Sequence, residues 1–520
     1  MQETKPGHTS RWRAFVSRCR ERCRKLAHDA RASAVASWHA FVARCRRLPR
    51  DTAVYIATTW RALSPESRKK IKQAIAAFAI SVVLALVVAG EGFSYAQYCT
   101  LFLLFFAIQL WITEAAPPFA VGIFIVGFLV YALGNADGID VGKYVKTWSD
   151  GIIILFLGGF FLAEGMQKTR LDYKLLQKLL PYFGQQARYI LLGLMLTTAC
   201  ISMLMSNTAT TAMMIATAAP LYGNAKGNFA RALLLGIPAA ASIGGMGTPV
   251  GSPPNAITIG ALAAKDIHIS FLGWMIVGMP LAIILTLVFW RILVSAYKIG
   301  KDPLDTSFLT TPQDGAPAVN PLQEQIMMAI LALTLFFWMA GKPLFGIPTA
   351  AVSGIPIAGL TLTGILTGKD VRALPWDTLM LVAGGLALGL AIEEQHLAEY
   401  YVEKLKHVQI DYHTLIILFA LITVTLSNFM SNTAATAILI PVALSVTALI
   451  GDHNPAILPL IIGFSASCAL FLPVSTPPNA IAYSTGLLKQ SEFRLGGVSV
   501  GLLGPALIIF WVLTTSRVMG

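Results

Sequence analysis

Four short polar islands interrupt an otherwise apolar chain, and they form an ordered pair that occurs twice. Ser-Asn-Thr-Ala-Thr-Thr-Ala at 206–212 precedes Gly-Ser-Pro-Pro-Asn-Ala-Ile at 251–257, and Ser-Asn-Thr-Ala-Ala-Thr-Ala at 431–437 precedes Ser-Thr-Pro-Pro-Asn-Ala-Ile at 475–481. Ser206 lies 46 residues before Ser252, and Ser431 lies 45 before Thr476. Matched order and spacing, at an offset of 225 residues between the two Ser-Asn-Thr motifs, mark a duplicated structural unit that gathers four uncharged motifs at one place.

Composition identifies the solvent. With 56% hydrophobic and 12% charged residues, the chain reads as an all-α polytopic membrane protein, since backbone groups in hydrocarbon must be satisfied within helices. Apolar runs able to cross a bilayer of ~30 Å fall at 74–89, 95–112, 119–133, 151–163, 272–294, 326–340, 347–366, 379–392 and 498–513. The motif-bearing stretches around Leu191, Leu233, Leu415 and Ile457 add four segments. Residues 1–73 hold no apolar run long enough for a signal peptide.

Residues 1–72 hold 18 Lys plus Arg against 5 Asp plus Glu, and the remainder holds 21 of each, so the net charge of +13 belongs to the N-terminal extension. That charge predicts a cytosolic N-terminus in contact with anionic lipid headgroups. Trp12, Phe15, Val16, Cys19, Cys23 and Leu26 recur at helical spacing, and Trp38, Phe41, Val42 and Cys45 repeat the start of the pattern. The reading is two amphipathic helices on the inner leaflet; a solvated basic arm and a cleavable transit peptide are the alternatives. The six cysteines show no metal-ligand spacing, and a nucleic-acid partner is not expected.

Both Ser-Asn-Thr motifs fall midway through apolar stretches, which predicts two re-entrant hairpins, each half too short to span alone. From a cytosolic N-terminus, four spans lead to Lys168, Arg170, Lys174 and Lys178 on the inner face, where the first hairpin opens. Five further spans separate the hairpins, so the second opens from the opposite face and the two repeats are inverted. Beyond residue 72 this places 14 Lys plus Arg inside and 7 outside, namely Lys143, Lys146, Lys265, Lys342, Lys404, Lys406 and Arg517, as the positive-inside rule requires. The acidic loop holding Glu393, Glu394, Glu399 and Glu403 is outside, and the C-terminus is outside.

Hydroxyls, amides and carbonyls freed at helix breaks suit an alkali cation, while exposed N–H groups and hydroxyl donors suit an anion. No Lys or Arg lies within or beside a motif. An anion held there must be neutralised by cations and helix N-termini, which ties its binding to theirs. Glu114, at a span end, reads as structural. His268, His396, His407, His413 and His453 fall in loops or at span ends, which argues against a histidine proton relay. No hydrolase elbow, zinc motif or P-loop is present, so an enzyme is not expected.

The paired Ser-Asn-Thr motifs, the two Pro-Pro-Asn breaks and Trp-Ile-Thr-Glu-Ala-Ala-Pro at 111–117 resemble the divalent anion/sodium symporter family, which includes dicarboxylate and citrate carriers. The resemblance covers roughly residues 75–519 and leaves the basic extension unmatched. It implies a homodimer with eleven spans and two hairpins per copy, in which a transport domain moves against a scaffold like an elevator. On that pattern the chain divides into the extension (1–72), scaffold helices (73–147), a first inverted repeat (148–297, hairpin 188–222, broken helix 231–264), a cytosolic linker (298–322), further scaffold helices (323–370) and a second inverted repeat (371–520, hairpin 412–450, broken helix 456–488). The resemblance implies one sodium at Ser202, Ser206, Asn207 and Gly251, and a second at Ser427, Met430, Asn432 and Ser475, with Met430 and Ser475 contributing backbone carbonyls. Substrate carboxylates would meet Asn207, Thr208 and Ser252 on one side, and Asn432, Thr433, Thr476 and Pro477 on the other. The expectation is sodium-coupled import of succinate, malate or fumarate across the plasma (inner) membrane, with no cofactor beyond the coupling ions. A sodium-independent exchanger and a sulfate or citrate carrier are the alternatives.

Overall fold

The structure is a computed structural model that describes residues 60, 62–134, 139–223, 227–304, 320–397, 399–401, 411–450 and 454–515. The amphipathic helices expected in the basic extension lie outside the described residues. The chain separates into two compact units, Met1–Gly92 and Phe93–Gly520.

In the first unit, the helix Pro65–Val88 begins where its sequence directs. Ser64 accepts from the Ser67 backbone N–H at 3.0 Å, and Pro65 occupies the first helical position, where a missing N–H is harmless.

The named elements of the second unit are all helices, and among the described residues of both units nine helices are long and apolar enough to cross a membrane. Exposed Ile276, Ile283 and Leu287, and likewise Leu333 and Phe336, line outer surfaces suited to lipid tails. One set of helices comprises Tyr95–Thr113, Pro118–Leu133, Gly151–Lys168, Pro321–Phe345, Gly354–Leu362 and Trp376–Glu394, which pack on one another. The helix Tyr95–Thr113 ends where Glu114 turns left-handed (φ 50°) ahead of Pro117 and Pro118.

The second set contains both hairpins and both broken helices. The first hairpin has arms Ala187–Ser202 and Asn207–Thr217, and the second has arms Tyr412–Phe429 and Asn432–Ile450. The latter corrects one expectation. Its arms run 18 and 19 residues, so the first alone is about 27 Å long and could span. What turns the chain back is local: Met430 is extended (φ −133°, ψ 173°) and Ser431 starts the return arm by accepting from Ala434 N at 3.2 Å. The broken helices repeat one design. Asn228–Gly244 tightens into the 3₁₀ turn Gly245–Gly247 before the chain restarts as Pro253–Ala263; Ile457–Ser465 tightens into Ala466–Cys468 before Pro477–Ser484. The restart of each packs into the opposite repeat, Pro477–Ser484 on Asn207–Thr217 and Pro253–Ala263 on Asn432–Ile450.

Among the described residues, five ion pairs join segments far apart in sequence: Lys143–Glu394 at 2.7 Å, Lys168–Asp370 at 2.5 Å, Arg231–Glu492 at 3.5 Å, Lys174–Glu324 and Lys265–Glu393. In each pair the basic partner reaches the solvent and the acid is part-buried, so each contributes little energy. Their geometry is more informative, because in every pair both partners fall on the same face in the span count: three pairs on the face of Lys168 and two on that of Glu393.

Candidate functional site

The four polar islands converge on one cavity of about 530 Å³. Ser206, Asn207 and Thr208 face Ser431, Asn432 and Thr433 across it, and Gly251 to Pro254 and Ser475 to Pro478 complete the wall. Ser202, Ser427 and Met430 stand behind the wall, each buried. Pro118, Phe119, Ala163 and Asp377 bring helix ends from the other set, at the face shared by Lys168 and Asp370.

The four polar islands each start a helix at this cavity, each N-terminus equivalent to roughly half a positive charge. The hairpin helices start at Asn207 and Asn432 after capping serines, Ser206 accepting from Ala209 N at 3.3 Å and Ser431 from Ala434 N at 3.2 Å. The N–H groups of Asn207, Thr208, Asn432 and Thr433 precede any intrahelical partner and remain available to an anion. At the other two helices the proline pairs remove the first two N–H groups, leaving side chains to act as donors. Ser252 makes no cap bond, whereas Thr476 caps Asn479 N at 3.3 Å.

At the first tip, the Asn207 amide lies 2.7 Å from Ser202 Oγ, 3.1 Å from Ala241 O and 3.3 Å from Gly251 O. With its NH₂ turned inward its two N–H groups donate among these three acceptors; with its oxygen turned inward it completes a cluster of four oxygens, chemistry that suits a cation. Close approach depends on glycine here: a Cβ on Gly245 would sit 2.6 Å from Asn207 Oδ1, and one on Gly251 would sit 2.5 Å from Gly245 O. The second tip is arranged differently. Ser427 Oγ and Asn432 Oδ1 are buried without a partner, as are Ser465 Oγ and Ser467 Oγ in the adjoining break. Buried oxygens of this kind are destabilising unless something fills the space between them. Ser475 Oγ is committed to Leu472 O at 2.8 Å.

Several residues with a part in the site were not singled out from sequence. Asn255 Nδ2 donates to Gly245 O and Thr248 O, both at 2.8 Å, and Asn479 Nδ2 donates to Leu472 O at 3.1 Å and Ser475 Oγ at 3.3 Å. These amides clamp the broken segments, taking up carbonyls that were expected to be freed at the helix breaks. Their repetition inside both Pro-Pro-Asn motifs was the available signal. Asn428 Oδ1 accepts from Phe471 N at 2.8 Å, tying the second hairpin to its break, and Thr248 Oγ1 donates to Met203 O in the first repeat. Asp377 and the unpartnered Ser242 also line the cavity, and no local pattern marks either.

Residues 68–519 match the family described as sodium:sulfate symporter transmembrane region. An uncharacterized transporter of Haemophilus influenzae is 34% identical over 79% of this chain and 91% of its own length. A sodium-dependent dicarboxylate transporter SdcS of Staphylococcus saprophyticus is 28% identical over 77% of this chain and 83% of its own, and that of Staphylococcus aureus is 29% identical over 77% and 82%. Among solved structures, Neisseria gonorrhoeae MtrF matches with a TM-score of 0.51 at 14% identity, covering 78% of this chain and 96% of its own, a likeness of fold alone.

Proposed function

Because this chain belongs to the sodium:sulfate symporter family and is a multi-pass secondary transporter, we propose that it couples sodium entry to the uptake of a C4-dicarboxylate such as succinate, malate or fumarate. The observation that carries this reading is the convergence of four helix N-termini and four hydroxyl and amide motifs on a cavity with no lysine or arginine in its wall. A dianion bound there has no fixed cation to meet its charge. Sodium supplies it, one ion at Ser202, Ser206, Asn207 and Gly251, the other at Ser427, Met430, Asn432 and Ser475. The Asn207 amide among three oxygens and the orphaned Ser427 and Asn432 oxygens support those two positions. The substrate carboxylates then lie between Asn207, Thr208 and Ser252 on one side and Asn432, Thr433, Thr476 and Pro477 on the other. The named relatives are dicarboxylate transporters, which favours this substrate class over sulfate.

Alternating access in this reading carries the hairpins and broken helices along Trp376–Glu394. Close contacts support such sliding, since a Cβ on Gly385 would sit 2.9 Å from Ala437 Cβ and one on Gly389 3.1 Å from Pro441 Cγ. The face of Lys168 and Asp370 is cytosolic, so the cavity is open inward. Uptake of radiolabelled succinate into proteoliposomes, with and without an inward sodium gradient, tests the proposal. Sodium should increase the initial rate at least tenfold, and equal uptake without sodium would refute the coupling.

A further inference from the structure

Among the residues lining the cavity, Asp377 is the single ionisable side chain. It is the second residue of the helix Trp376–Glu394, following Pro375, and its neighbours Pro375, Thr378 and Leu381 line the same wall. It is exposed and forms no ion pair or side-chain hydrogen bond among the described residues. An unpaired carboxylate in the wall of an anion site works against binding, and the rest of the wall is uncharged.

We propose that Asp377 limits the charge of the substrate, admitting dianions and disfavouring trianions. The inference rests on the sodium-coupled dicarboxylate reading given above. Two sodium ions and a dianion sum to zero, and Asp377 brings the loaded cavity to −1. A tricarboxylate would bring it to −2, whereas in Asp377→Asn it would leave the −1 that a dianion leaves in the natural chain. Each added substrate charge interacts with that carboxylate through partly wet protein in the same cavity, an effect on the order of a tenfold change in affinity. The hairpin tips and broken segments supply the attraction, and Asp377 supplies the discrimination. A carboxylate in a first helical turn also stabilises the helix, so a variant that keeps the charge is needed to separate the two roles.

The test uses the full chain in proteoliposomes under a sodium gradient at pH 8, where citrate is a trianion. Inhibition of radiolabelled succinate uptake is measured with unlabelled citrate and with unlabelled succinate, and the ratio of half-inhibitory concentrations is compared between variants. Asp377→Asn, and Asp377→Ser as a second neutral variant, should lower the citrate-to-succinate ratio about tenfold, while Asp377→Glu should hold it within about twofold. An unchanged ratio in the neutral variants, or an equal fall in Asp377→Glu, overturns the proposal. A shift in sodium half-saturation without a shift in the ratio also overturns it, because Asp377 would then be a cation ligand. Absence of sodium-driven succinate uptake in the natural chain is instead a failure of the transport reading. The same ratio is then measured as protection of the purified chain against heat unfolding by citrate and by succinate, with the same criteria.

Discussion

Asn207 and Asn432 occupy matching places at the two tips yet leave their surroundings in different states. The Asn207 amide can satisfy itself against Ser202, Ala241 and Gly251, whereas Ser427 and Asn432 hold oxygens that nothing in the described chain satisfies. An unsatisfied buried hydroxyl is destabilising by ~1–3 kcal/mol. Ser427→Ala should therefore raise the unfolding temperature of sodium-free protein while weakening the protection that sodium confers; loss of stability in both conditions would show that Ser427 is not a cation ligand. Asp172 responds to pH. Burial pushes its carboxyl up to about 6, against backbone hydrogen bonds and Arg170 that favour the charged form. The folded chain thus holds this proton more tightly than the unfolded chain. The resulting stabilisation is complete below the ordinary carboxylate range and lost as pH rises through about 6. Asp172→Asn should melt higher than the natural chain at pH 8, by an amount on the order of 1–3 kcal/mol, and lose that advantage by about pH 4. An advantage independent of pH would mean that packing, and not ionisation, is the cause.

Each broken helix must leave backbone carbonyls unpaired in a low-dielectric interior without collapsing. The proline pairs ensure the break, and the asparagine that follows them prevents collapse by bridging across it. Asn255 crosses to Gly245 and Thr248, and Asn479 crosses to Leu472 and Ser475. Removing either amide strands buried acceptors at about 1–3 kcal/mol. Asn255→Ala and Asn479→Ala should each lower thermal stability by that order and reduce uptake by more than the loss of folded protein explains. Uptake per folded molecule equal to the natural chain would show that these amides are not needed to hold the site.

Among the described residues, opposite faces of the second unit are marked by the five ion pairs that join distant segments, three on one face and two on the other. With the Lys168 face assigned to the cytosol, a cysteine in place of Lys146 should react with a membrane-impermeant thiol reagent in intact cells. One in place of Lys178 should react only after permeabilisation. The reverse pattern would invert the orientation and make the cavity outward-facing.

Hydropathy, motif spacing and charge are local properties of a chain, so they were legible directly. The helices around 95–133, 271–296 and 321–345, both breaks and the chain reversals at both Ser-Asn-Thr motifs follow from runs of side chains that must either contact lipid or interrupt a helix. The side of the membrane shared by Lys168 and Asp370, or by Lys265 and Glu393, was countable for the same reason. Which polar atoms end up satisfied is a property of packing. Asn255 and Asn479 look like turn residues until the carbonyls opposite them are known, and Ser427 and Ser475 look equivalent until one is buried without a partner and the other is bonded. Asp377 lies 170 residues after Asn207 and 55 before Asn432. Only the tertiary structure places it in their shared wall, because the packing of separate helices decides which side chains meet at a cavity.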